Sequence, residues 1–233
     1  MIGRILAAGT AVGLTGVWLY VRHLHRSLAG QVSSKKVSAE ERKAAHNTGE
    51  IQTLPTDLIG NPDDFRLLHV QDQKSASISI PHKEEENATK LFTLLLRRNM
   101  QIFAKMPQSW IMSAMTKTAE QKRSFSKEHI QSLEFQEGDL FCGFNRVLKR
   151  DPLKVEIELV PPESMGSFSG RLVIALITEG NTVILRTQTL QWTKAAGSAV
   201  LPLERRPAKF MHEIGSWYLI VSGLDNLKKT CVV

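Results

Sequence analysis

The sequence predicts an α+β protein: an N-terminal transmembrane helix, then an antiparallel sheet packed on a long C-terminal helix. Three observations carry this. Residues 5–21 form a stretch of 17 residues without a charge, residues 138–193 alternate as strands with turn signals between them, and residues 207–227 repeat apolar side chains at helical spacing.

The first stretch, as a helix, spans roughly 26 Å at about 1.5 Å per residue, slightly short of a hydrocarbon core of about 30 Å. Trp18 and Tyr20 lie near its end, where amphipathic rings favour the headgroup level, and Arg22, His23, His25 and Arg26 follow at once. Trp18, Tyr20, Arg22 and Arg26 are therefore the expected anchor residues. The shortness suits a thin bilayer, that of the endoplasmic reticulum or a mitochondrion. Positive charge is greater after the helix than before it, which expects the large domain on the cytosolic side. Gly9 and Gly13 make a small-xxx-small spacing that can pair two copies of the helix as a weak homodimer. Two other readings stay open. A cleaved signal peptide would use Ser27-Leu28-Ala29, but two Arg and two His intervene; a mitochondrial presequence would be amphipathic, whereas this stretch is apolar all round.

Charge distribution excludes one class. The chain carries +7, but residues 1–43 hold +5 of it and the remaining 190 residues only +2. A nucleic-acid footprint needs Lys and Arg clustered on a folded face, so no nucleic-acid partner is expected.

The boundaries follow from composition. Residues 1–26 are the anchor with its basic flank, residues 27–62 a flexible linker poor in apolar side chains, and residues 63–230 the α+β domain. Within the domain, residues 65–80 hold one or two strands, residues 88–106 a helix ended by Pro107, and residues 109–115 a second helix. Residues 116–127 read as a polar loop. Residues 138–150 form a strand that contains Cys142, expected as a buried, inert thiol, and turn at Arg150-Asp151-Pro152. Residues 154–159 then alternate cleanly, with Val155, Ile157 and Leu159 inward and Lys154, Glu156 and Glu158 in water. Residues 171–177 are apolar on both faces, as in a central strand. Glu179-Gly180-Asn181 is a hairpin turn, and residues 182–193 return with Thr187, Thr189 and Gln191 on one side. The last helix opens at Pro207 and carries Phe210, Ile214, Trp217, Val221 and Leu224 as one apolar stripe.

This element order resembles the START-like, or helix-grip, superfamily. Gly138-Asp139-Leu140-Phe141-Cys142-Gly143-Phe144 resembles the Gly-Asp-x-x-Gly-hydrophobic segment of an uncharacterised domain family within it. Leu185-Arg186-Thr187-Gln188-Thr189, followed by Pro207 and the terminal helix, is similarly placed, so that the likeness covers about residues 65–229. It implies a curved antiparallel sheet wrapped around the terminal helix, with a cavity between them. The chain lacks the His-containing segments of that family's middle strands, and no activity is carried over.

Motifs for chemistry are absent. The histidines at 23, 25, 46, 69, 82, 129 and 212 make no ligand pair, and no phosphate-binding, dinucleotide-binding or nucleophile-elbow motif occurs. No catalytic residue, metal ligand or cofactor is expected. Arg186, Trp110, Met112 and Trp217 are the candidate ligand contacts: Arg186 to orient a polar end from the sheet, Trp110 and Met112 as part of a cap or membrane contact, and Trp217 from the terminal helix. His212-Glu213 falls outside the apolar stripe and reads as solvent-exposed.

The expectation is a membrane-tethered, non-enzymatic module that holds a lipid or other apolar ligand. An enzyme of the same fold, using Arg186, Glu156 and His212, and an anchored adaptor with a filled interior are the alternatives. An empty volume of a few hundred Å³ between sheet and terminal helix discriminates them.

Overall fold

The computed structural model describes residues 16, 18–78, 85–161, 168–197 and 200–231. Helix α1 runs over residues 18–29. There follow β1 (Ser33–Lys36), α2 (Ala39–Asn47), α3 (Thr56–Gly60), β2 (Phe65–Ser77), α4 (Glu85–Phe103), α5 (Pro107–Ala114), α6 (Ala119–Arg123) and α7 (Lys127–Ser132). Strands β3 (Leu140–Phe141), β4 (Asn145–Asp151), β5 (Lys154–Leu159), β6 (Ser169–Glu179) and β7 (Thr182–Lys194) precede α8 (Arg206–Cys231). The strands form one seven-stranded antiparallel sheet in the order β1-β2-β7-β6-β5-β4-β3.

Turn chemistry sets the register. Glu179 pairs with Thr182, so Gly180 and Asn181 are the two loop residues, and Gly180 takes the positive φ (58°) that such a tight turn requires. The expected strand over 138–150 is instead a short hairpin. Cys142 and Gly143 turn with φ 49° and 80°, and the Phe125 ring stands 2.7 Å from where a Gly143 Cβ would be. Ser124 accepts the Cys142 N–H through its carbonyl at 3.0 Å and the Gly143 N–H through its hydroxyl at 2.7 Å. The Gly-Asp-x-x-Cys-Gly-Phe segment is thus a turn held by backbone contacts. Cys142 is buried, and burial pushes its thiol up to about 12. The polar loop over 116–127 contains α6, whose first turn is closed by a reciprocal cap between Thr118 and Gln121.

Cross-strand partners share a face, because strand side chains alternate. One face therefore carries Asp72 of β2, Leu185, Thr187, Thr189 and Gln191 of β7, Leu172 and Ile174 of β6, and Val155 and Ile157 of β5. Helix α8 lies across this face, and α4 packs beside it. Gly223 permits the close approach, since a Cβ there would sit 3.1 Å from Leu95 and 3.2 Å from Asn99. The expected stripe is part of the buried surface of α8, since Trp217 and Leu224 join the main core with residues of β5, β6 and β7. Ala208, Met211, His212, Gly215, Ser216, Leu219 and Ile220 line the space beside it. The Phe210–Trp217 side also meets α1: the His25 ring centroid lies 4.8 Å from that of Phe210 and 5.0 Å from that of Trp217. His25 Nε2 also bonds Glu213 Oε2 at 2.9 Å. A helix sandwiched between two layers needs apolar side chains on more than one side, and the stripe covers only part of that surface.

The other sheet face is covered too, by the segment expected as a linker. Residues 27–62 contain β1, paired along β2, and the fully buried Ile51. Leu58 joins Leu190 and Trp192 in a second small core. Glu156, expected in water, is 0 % exposed. Its carboxylate accepts the backbone N–H groups of Gln52 and Thr53 at 3.0 Å, the Thr53 hydroxyl at 2.9 Å and the Lys154 ammonium at 3.0 Å. Arg171 reinforces the strap by donating from Nε to Thr53 O at 3.0 Å while its guanidinium lies over Trp192. A few apolar anchors and one multiply bonded carboxylate hold this chain, which is why its low apolar content misread it.

Among the described residues, no helix is long and apolar enough to cross a membrane. The expected span over 5–21 lies outside the described residues except for 16 and 18–21, and so do Gly9 and Gly13.

Candidate functional site

Between the sheet and α8 lies a cavity of about 380 Å³, bordered at the side by α4 and α5. That is within the roughly 300–1,000 Å³ typical of small-molecule sites, at its lower end. Its walls follow from the register above. Strand β6 contributes Leu172 and Ile174, and β7 contributes Leu185, with the Thr187, Thr189 and Gln191 side that the sequence had set apart. The β3–β4 hairpin adds Phe141 and Phe144, which its tight turn places on either side of Gly143. Four methionines (Met100, Met112, Met115 and Met211) complete the apolar wall. Unbranched, polarizable thioethers fit irregular guests better than branched side chains do.

One end is polar. Asp72, 2 % exposed, lies opposite Thr187 in the β2–β7 ladder and stands just behind the cavity wall. It accepts from Ser216 Oγ at 2.9 Å and from Trp217 Nε1 at 3.0 Å. Ser216 and Thr187 hydroxyls are 3.2 Å apart. His212 lies one helical turn before Ser216 on the same side of α8, its Nε2 3.9 Å from Asp72 Oδ2 and without a hydrogen-bond partner. Burial pulls its imidazole below the ordinary value, against the opposing pull of the Asp72 and Glu213 carboxylates. No Lys, Arg, Asp or Glu lines the cavity among the described residues.

The sequence candidates scatter around this site. Met112 lines it. Trp110, its neighbour on α5, is 63 % exposed. Trp217 is buried but turns its indole to Asp72 and His25, so that it supports the polar end from behind. Arg186 is on the opposite sheet face, donating to Gln73 Oε1 at 2.9 Å and facing Glu50 at 3.7 Å. Strand alternation forces this, since Leu185 and Thr187 on either side of it point into the cavity. Glu156 shares that opposite face, so the trio Arg186, Glu156 and His212 does not converge. Trp18, Tyr20, Arg22 and Arg26 are exposed on α1, with the Arg22 guanidinium 5.0 Å from the Trp18 ring centroid. Asp72 and Ser216 were missed. The only signal for Asp72 was a carboxylate in an otherwise half-buried strand; Ser216 gave none.

No family model matches the chain, and no curated protein matches it. Among solved structures, CalU16 from Micromonospora echinospora superposes with a TM-score of 0.32 at 13 % identity, over 69 % of this chain and 76 % of that one. Likeness of that degree carries no argument about family or activity.

Proposed function

We propose that this protein is a membrane-tethered module that holds one small apolar molecule between its sheet and its terminal helix. The observation that carries the reading is the cavity: about 380 Å³ of space walled mainly by methionine, phenylalanine and aliphatic side chains, with no charged side chain among the described residues that line it. A core closed for stability alone would fill such a space, since interiors pack to crystal density and each void costs contacts. The element order and the cavity's position together support assignment to the START-like superfamily. The tether rests on the uncharged residues 5–21, with the exposed Trp18 and Tyr20 near their end, and on the exposed Arg22 and Arg26 that follow. With more positive charge after that stretch than before it, the domain faces the cytosol from a thin membrane.

The test is extraction of the purified full chain followed by mass spectrometry. A stoichiometric apolar molecule, or uptake of one when offered, supports the reading. A chain that arrives empty and takes up nothing overturns it.

His212 favours a second reading, an enzyme acting on an apolar substrate. An imidazole with an unpartnered Nε2 beside a buried carboxylate can move a proton. Chemical change of the extracted molecule on incubation, lost in His212→Gln, would select it over a carrier.

A further inference from the structure

We propose that the cavity selects an uncharged molecule bearing a hydroxyl group and rejects the carboxylate of the same chain length. This rests on the carrier reading and adds the identity of the guest's polar end. The argument is one of hydrogen-bond bookkeeping at four residues. Asp72 as a carboxylate only accepts, so the single Ser216 O–H is committed to it at 2.9 Å. The 3.2 Å contact between Ser216 and Thr187 must then run the other way, with Thr187 donating to the Ser216 oxygen. Both protons are consumed inside the wall. What Thr187 has left for the cavity is an oxygen lone pair, an acceptor at the end of a chain that leads to a buried negative charge.

A guest hydroxyl completes that chain by donating to Thr187, and each link polarises the next. His212 stands beside the same carboxylate, its Nε2 3.9 Å from Asp72 Oδ2 and without a hydrogen-bond partner. A guest carboxylate finds the opposite of what it needs. Neither Thr187 nor Ser216 has a proton to give it, Asp72 repels it, and the charged groups that bear on His212 are the carboxylates Asp72 and Glu213. The remaining polar side chains of the wall, Asn99, Gln108, Asn145, Thr189 and Gln191, can donate hydrogen bonds but carry no charge, so none of them balances the charge of a carboxylate.

The experiment titrates the full chain in amphipol with 1-dodecanol and with dodecanoate at pH 8, below their micellar concentrations, and repeats both with Thr187→Val and Asp72→Asn. Dodecanol is expected to bind at least tenfold tighter than dodecanoate. Thr187→Val, which keeps the shape and removes the acceptor, should weaken dodecanol at least fivefold. Asp72→Asn, which removes the charge behind the wall, should narrow the gap between the two ligands. Equal binding of the pair, or tighter binding of dodecanoate, overturns the selection while leaving the carrier reading intact. Uptake of neither ligand by the unaltered chain overturns both.

Discussion

The indole Nε1 of Trp217 donates to Asp72 Oδ1 over 3.0 Å, joining the terminal helix to a strand 145 residues earlier in the chain. Helix α8 lines the cavity with Met211, Gly215 and Leu219, so contacts such as this one at the edge of that space help to seat it. A hydrogen bond from a buried donor to a carboxylate is worth about 1.5–3 kcal/mol. Trp217→Phe, which preserves the contact with His25, is therefore expected to lower unfolding stability by about 2 kcal/mol in urea titrations. A loss below about 0.5 kcal/mol would remove this bond from the account of how α8 is seated.

Glu156 performs the equivalent task on the other face. It accepts from two backbone amides, one hydroxyl and one ammonium with no exposure to solvent. Removing a buried charge's partners, or the charge from its partners, costs about 3–5 kcal/mol. Glu156→Ala should destabilise on that order and strip hydrogen-exchange protection from Gln52 and Thr53. Uptake of an apolar ligand by the folded fraction should not change, because the strap and the cavity lie on opposite faces of the sheet.

Acid should weaken the fold through His69. Its Nε2–H donates to Gln188 Oε1 at 3.1 Å, and burial lowers its imidazole from 6.5 to about 4. Between these values the unfolded chain binds a proton that the folded chain does not, so stability is fully present above 6.5 and is lost as pH falls towards 4. The loss amounts to about 2 kcal/mol at pH 5. His212, also lowered by burial, adds in the same direction. Thermal unfolding of the full chain at pH 7.5 and pH 5 checks the sum, and His69→Gln should flatten the slope.

Much of the fold was legible because periodicity reports local geometry. The 179–182 hairpin, the turn after Arg150, the central position of β6 and the terminal helix all follow from alternation, glycine and proline. The errors share one cause. Sequence patterns show which side of an element is apolar but not how many layers cover it. Glu156 reads as solvated until residues 50–53 are seen above it, and His212 reads as exposed until α8 is found between the sheet and α1. The polar end of the cavity was illegible for a related reason. Asp72, Thr187, His212 and Ser216 come from three elements, and only the β2–β7 register and the rotation of α8 bring them together.

The claim on which the rest depends is that the space between sheet and helix takes up one apolar molecule. Native mass spectrometry of the full chain with a neutral aromatic probe, 1-aminoanthracene, measures this directly when compared with Ile174→Trp. Ile174 faces the cavity opposite Thr187, so an indole there occupies the space that the guest would use. The account predicts one probe per chain for the unaltered protein and none for the variant, with the variant still folded. One probe on both proteins, or none on either, would contradict it.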